Sequence, residues 1–311
     1  MGDLLTRKQV ILAINETTYG TDPAMTGTNA ILAYDIDMDV KGEKLERAVM
    51  RDTLTPLPHV IGMKEVVLNF KTEIVGSNAA PNIAPLLSGV GFDTGVVSGT
   101  ARTYTFLDDN HYSVAFKVYK DSNVHKVLGC RGNVKFILEA GKYGVAEWAF
   151  QGLYDPVAAV SGTIDVSGLS ANKPPILYNS LFQIAGFSPV TSKAEIDLGN
   201  EIVRRASLNA SYGVAEFKLV GRKPSMSFDA DAVVESSNPF FGDWSGAIVD
   251  TFSIDVGITA GNRAILSGIF EYDSNKYGDQ DGVMTYECVA SLVSSNTDTQ
   301  RDELTLKYIL A

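Results

Sequence analysis

The sequence predicts an all-β chain built twice over, with one short helix in each copy. Three observations carry that prediction. Apolar and polar residues alternate through many short segments, as half-buried strands require. Gly, Asn, Asp and Pro gather between those segments, where turns need them. The stretch from Ala33 to Gly91 also returns in weaker form near Ala194 to Gly246, pairing Glu43 with Glu201, Arg47 with Arg205 and Phe70 with Phe228 at one spacing of 158 residues. Downstream, VLGCRGNVKFILEAGKYGVAEWAFQGLY answers ILSGIFEYDSNKYGDQDGVMTYECVASLV, which sets Trp148 and Phe150 against Tyr286 and Cys288. A length of 311 residues fits two domains, taken as 1–160 and 161–311, with a linker from Ala158 to Pro175 at the join.

In chain order, Arg7 to Ile14 is an apolar strand or arm, followed by the polar loop ETTYGTDPAMTGTNA. Ile31 to Val40 alternates Asp35, Asp37 and Asp39 with Ile36, Met38 and Val40, sending three carboxylates to one face. Gly42 to Gly62 is charged and carries Pro56 and Pro58, so it is expected to be a long loop. Glu65 to Val75 is the returning strand, and Pro81 to Val90 a short helix starting near Asn78 or Asn82. Strands follow at Arg102–Phe106, Ser113–Tyr119, His125–Leu128, Asn133–Glu139 and Val145–Tyr154, with DDNHY, KDSN, GCRG and AGKYG as turns. The second copy repeats the programme, with Gly199 to Gly221 as its long loop, YDSNKYGDQDG as a polar hairpin loop and Glu303–Ile309 as a last strand.

The formal charge of −11 excludes an ordinary nucleic-acid-binding surface, which needs clustered Lys and Arg. The start lacks the apolar core of a signal peptide and no apolar run is long enough to span a bilayer, so a cytosol-like compartment is expected. Cys130 and Cys288 fall in strand-like segments at related places in the two copies and read as buried thiols. His59, His111 and His125 are far apart and lack metal-ligand spacing, reading as turn or surface residues. GCRG and AGKYG are turn glycines rather than phosphate loops, and no GxSxG elbow is present. No enzyme activity, metal or cofactor is expected. A carbohydrate-binding or adhesin β-sandwich is the rival class; it would show an aromatic platform, whereas Trp148 and Trp244 read as core positions. A glycoside hydrolase would need two facing carboxylates, and no pair stands out.

The opening RKQVILAINETTYGTDP, the loop GEKLERAVMRDTL and the segment VHKVLGCRGNVKFILEAG…EWAFQGLYDP resemble the tail tube proteins of long-tailed bacteriophages. The resemblance covers most of the first half and reaches the second through the repeat. It implies two tandem tail-tube-like β-sandwich domains whose inner sheets join neighbours into a closed barrel, and stacked rings that form a conduit for genome ejection. Two tube domains per chain imply three chains per ring, a homotrimer with pseudo-sixfold symmetry. If the second half, which has Ala290, Ser291 and Leu292 in place of Gly152, Leu153 and Tyr154, is a decoration domain, the ring holds six. The resemblance further implies a tape measure protein and viral DNA in the lumen, tail terminator and tail tip proteins as partners, no membrane, assembly in the host cytoplasm and residence in the virion tail. A tube inside a contractile sheath shares the fold.

On this reading Asp35, Asp37, Asp39 and Glu73 of the first copy, with Glu195, Asp197, Asp229 and Asp231 of the second, line an acidic lumen that repels phosphates. Glu43, Glu46, Arg47 and Arg51 in one loop, with Glu201, Arg204 and Arg205 in the other, are expected to meet the next ring.

Overall fold

The computed structural model describes residues 4–77, 79–160, 164–169, 172–295 and 301–311. The first half contains β1 (Gln9–Asn15), β2 (Ala30–Ile31), β3 (Tyr34–Leu45), β4 (Val60–Glu73), α1 (Ala84–Gly89), β5 (Val96–Ser98) and β6 (Ala101–Tyr104). It continues with β7 (Val114–Lys120), β8 (Asn123–Glu139), β9 (Val145–Tyr154) and β10 (Ala158–Ala159). The second half contains β11 (Phe182–Ile184), β12 (Lys193–Asp197), β13 (Asn200–Ala206), β14 (Val214–Arg222), β15 (Ser225–Asp231) and α2 (Phe240–Ser245). It ends with β16 (Val249–Thr259), β17 (Asn262–Gln280), β18 (Val283–Leu292) and β19 (Thr305–Ile309).

Eight strands form one antiparallel ladder in the order β3-β4-β9-β8-β12-β15-β18-β17. The alternation in the sequence decides its two faces. Leu68, Phe70, Trp148, Phe150, Phe136, Ile196, Phe228 and Ala290 point to one side and are buried. Their neighbours in each strand point the other way and are mostly polar or charged. Behind the buried side lie two further ladders, β2-β1-β7-β8-β10 and β5-β6-β19-β17-β16-β11. β8 and β17 run through both layers. The sandwiches close over aromatic contacts, Phe70 edge-on to Phe116 at 5.9 Å and Phe182 edge-on to Phe228 at 5.4 Å.

The repeat read from the sequence reappears in the pairing. β4 stands between β3 and β9 as β15 stands between β12 and β18, and β1 pairs with β7 as β11 pairs with β16. The ladder shifts the downstream alignment by two residues, because Phe70 lies opposite Trp148 whereas Phe228 lies opposite Cys288, not Tyr286. Cys130 and Cys288 are both buried free thiols, pushed up by burial, but they occupy non-equivalent strands, β8 and β18.

Several expectations need correction. GCRG is no turn: β8 is one bent strand whose register shifts between Leu128 and Arg131, with Gly129 at φ 59 so that the Tyr19 ring can lie where a Cβ would be. YDSNKYGDQDG is strand up to Gln280, held by β18, and only Asp281 and Gly282 at positive φ make the turn. The loop Gly42–Gly62 shrinks to residues 46–59, since Leu45 pairs with Val60. The loop Gly199–Gly221 is a β13–β14 hairpin instead. Helix α1 begins at Ala84 behind Ile83; Asn82 spends its amide on the Gly168 carbonyl, and Asn78 lies outside the described residues. Trp244 is 47% exposed rather than core, its Nε1 donating to the Asp273 carbonyl, and His125 sits within β8. No helix among the described residues is long and apolar enough to cross a membrane.

The Trp148 indole is buried and donates to Thr72 Oγ1 at 2.8 Å. Thr72→Val keeps the shape and orphans that donor, so urea unfolding should show a loss of about 1–3 kcal/mol; an unchanged midpoint would refute the role given to this bond.

Candidate functional site: a polar sheet face with two free edges

The charged face of the eight-stranded ladder follows from strand register. Asp37, Asn69, Ala149 and Asn133 lie in one row across β3, β4, β9 and β8, and Lys71, Glu147, Lys135 and Asp197 in the next across β4, β9, β8 and β12. Asp229, Glu287 and Lys276 continue the face across β15, β18 and β17. All eight carboxylates predicted to line a lumen therefore sit on this side, although they are not equivalent.

Asp37, Asp39, Glu73 and Asp231 have no ion pair among the described residues. Asp35, held at φ 52 where the β3 register shifts, lies 3.7 Å from Lys71, which also meets Glu147 at 2.9 Å. Glu195 is gripped by Lys135 at 2.6 Å and by Lys193, and these two bonds hold its carboxyl below the usual range. Asp197 accepts from Asn133 Nδ2 and the Gly199 N–H, so it fixes the turn after β12. Asp229 accepts from Ser192 and the Lys193 N–H, closing the entry to β12. The face is acidic with a band of lysines through it. Lys71 and Lys135 sat in the alternating pattern all along, and only register puts them beside Glu147 and Glu195.

The ladder ends in two free edges. β3 pairs only with β4, and from Tyr272 to Gln280 β17 pairs only with β18 among the described residues. Each edge exposes backbone donors and acceptors of an unpaired strand, apart from the Asp273 carbonyl that Trp244 occupies.

The hairpins behave differently from each other. β13–β14 folds back over the first half: Phe217 is buried and its N–H donates to Tyr19 Oη, whose own hydroxyl donates to the Gly129 carbonyl. Arg204 meets Glu65 at 3.1 Å and Arg205 meets Glu216, so both arginines are paired within the chain. Glu201 stays exposed on β13. Glu43 lies in β3, and Glu46, Arg47 and Arg51 lie in the exposed segment 46–59, where Val49, Met50 and Leu54 are also exposed. Sequence reasoning missed Tyr19, because nothing local shows that a tyrosine in a polar loop will join β8 to a hairpin almost two hundred residues on.

Among the described residues no cluster of His, Cys, Asp and Glu could hold a metal ion. His111 is tied to the Leu107 carbonyl at 2.9 Å, and burial lowers its pKa.

The sequence pattern of the family described as phage tail tube protein matches residues 6–294. The chain belongs to that family. Membership makes this tail tube protein a structural component of the virion tail that assembles with itself into a tube. No curated protein matches the chain significantly.

Glu195 supplies a pH prediction. Its folded pKa is depressed, so its contribution is complete above the unfolded value near pH 4.3 and fades as pH falls through the lower folded value. Glu195→Gln should therefore cost on the order of 1 kcal/mol at pH 7, and the gap should narrow below about pH 4 in urea melts. A gap that does not change with pH would contradict this assignment.

Proposed function

We propose that three copies join edge to edge into a ring whose polar sheet faces line an acidic conduit, and that rings stack into the tail tube through which the genome is ejected. The observation that supports this most directly is the unbroken eight-stranded ladder with a free strand at each side. At a strand spacing of about 4.8 Å and a tilt of about 40°, three such ladders make a wall about 48 Å across between backbones. Barrels of about sixteen strands already hold an aqueous channel, so this one is wide enough for a large polymer. Six copies would double that width without need. Both halves supply four strands to the face, which favours two tube domains, 1–160 and 161–311, over a decoration domain.

Asp37, Asp39, Glu73 and Asp231 leave the wall negative where Lys71, Lys135 and Lys193 do not compensate it, so a phosphate backbone is repelled rather than bound. The tape measure protein and then DNA occupy this lumen, with terminator and tip proteins at the ends and no enzymatic step. Glu46, Arg47 and Arg51 at the exposed loop, with Glu43 just before it on β3 and Glu201 at the start of β13, contact the next ring; each exposed pair contributes only about 0.2–1 kcal/mol, so stacking depends on repetition.

Electron microscopy of the purified chain, seeded with tail tips, should show tubes with a mass per ring of about 100 kDa, three times the 33.5 kDa chain. A ring of twice that mass would overturn the trimer, and a chain that never forms tubes would overturn the function. Phage carrying Asp37→Lys, Asp39→Lys and Asp231→Lys together should build tails yet eject DNA more slowly, and ejection at the unaltered rate would refute the repulsive lining.

A further inference from the structure

Resting on the ring proposed above, we infer that the seam between neighbouring copies reproduces, residue for residue, the seam between the two halves of one chain. The internal seam is β8 against β12, with Lys135 opposite Asp197, Phe136 opposite Ile196 and Ile137 opposite Glu195. The pairing pattern identifies the counterparts. Lys135 faces Glu147 in β9 as Lys276 faces Glu287 in β18. Phe136 therefore corresponds to Tyr277, and the 158-residue spacing maps Ile196 onto Met38 and Asp197 onto Asp39. The external seam is β17 of one copy against β3 of the next, with Lys276 opposite Asp39 and Tyr277 opposite Met38.

Three features of the single chain fit this register. The strand directions alternate through all eight strands, so β17 meets a neighbour's β3 antiparallel, as β8 meets β12. The charges are complementary, a lysine against an aspartate in both seams. The apolar side of the outer edge lacks its cover: Phe136 is 1% exposed beside Ile196, whereas its counterpart Tyr277 is 61% exposed.

The hairpins extend the correspondence. β14 lays Leu219 against the turn that ends α1, so closely that a methyl on Gly91 would stand 3.1 Å from its Cδ2. Leu219 faces Ile202 as Ile61 faces Lys44, so the counterpart of Leu219 is Ile61, which is 46% exposed. The counterpart turn, after α2, contains Ala247 at φ 48, flanked by exposed Trp244, Ile248 and Val249. Ile61 of one copy thus seats against the α2 turn of its neighbour. The β3–β4 hairpin lies sideways within the ring, and the charged loop beyond it remains free for stacking.

Cysteine pairing tests the register. In tubes of Asp39→Cys, Lys276→Cys chains, mild oxidation should give covalent trimers, because residues directly opposite on antiparallel strands stand about 5 Å apart and can form a disulfide. Asp35→Cys, Lys276→Cys should not, being about 13 Å out of register. The buried Cys130 and Cys288 leave unaltered tubes uncrosslinked. Tubes of the first variant that stay monomeric on a denaturing gel, or equal crosslinking by both variants, would overturn the register while leaving the tube function intact. Independently, Ile61→Asp should leave the urea midpoint of the monomer unchanged and lower tube yield at least tenfold. An unchanged yield would overturn the hairpin seat. If the unaltered chain forms no tubes at all, the ring function fails and this seam fails with it.

Discussion

Everything in this molecule depends on the hydrogen-bonded ladder between β8 and β12. A second ladder, β6 against β19, also joins the halves in the outer layer, but only β8 against β12 makes the inner wall continuous and removes what would otherwise be two unpaired edge strands. With it, Phe136 and Ile196 are buried side by side, and four strands from each half become one eight-stranded wall. The ladder also fixes which side is which. A slip of one residue would turn Ile196 toward water and Glu195 into the core.

The second sheet layer serves this wall. It covers the apolar side with Phe116, Phe252, Ile254 and Leu266, leaving the charged side uncovered. Strands β8 and β17 belong to both layers, so the bend in each must be fixed. Glu16 does this for β8, accepting at 2.7 Å from the Gly129 N–H and at 2.6 Å from Ser113. Tyr19 closes the same corner from outside and passes its hydroxyl to the β14 hairpin. A tie between distant segments is thus made at the one glycine whose φ allows the strand to turn.

Much of this was legible in the sequence, and the failures share a cause. Strict alternation made the β9 strand and the Asp35–Asp37–Asp39 face readable, and recurrence made the repeated strand order readable. What misled was polarity. YDSNKYGDQDG and the two loops looked like unstructured segments because their residues are charged, yet strands on a hydrated face are charged on alternate positions and gain their order from a partner strand far away. Sidedness likewise follows from the local pattern, while the ion pairs of Lys71 and Lys135 follow from register, which depends on pairing across the whole chain. Trp244 was misjudged for a related reason: it stands one helical turn after the buried Phe240, a core-like spacing, and only the tertiary contacts show that its ring stays exposed while its Nε1 reaches the Asp273 carbonyl.

The two strands that cross from one layer to the other have a mechanical consequence. In the ring proposed above, a polymer passing through would push the wall outward, and a closed ladder would carry that push as hoop tension along the hydrogen-bonding direction. Side-chain packing between layers yields easily under such a pull, whereas β8 and β17 transmit it covalently into the outer layer. The inner wall of such a ring would be tied at two points in every chain by its own backbone, and would resist bursting without needing to be thick.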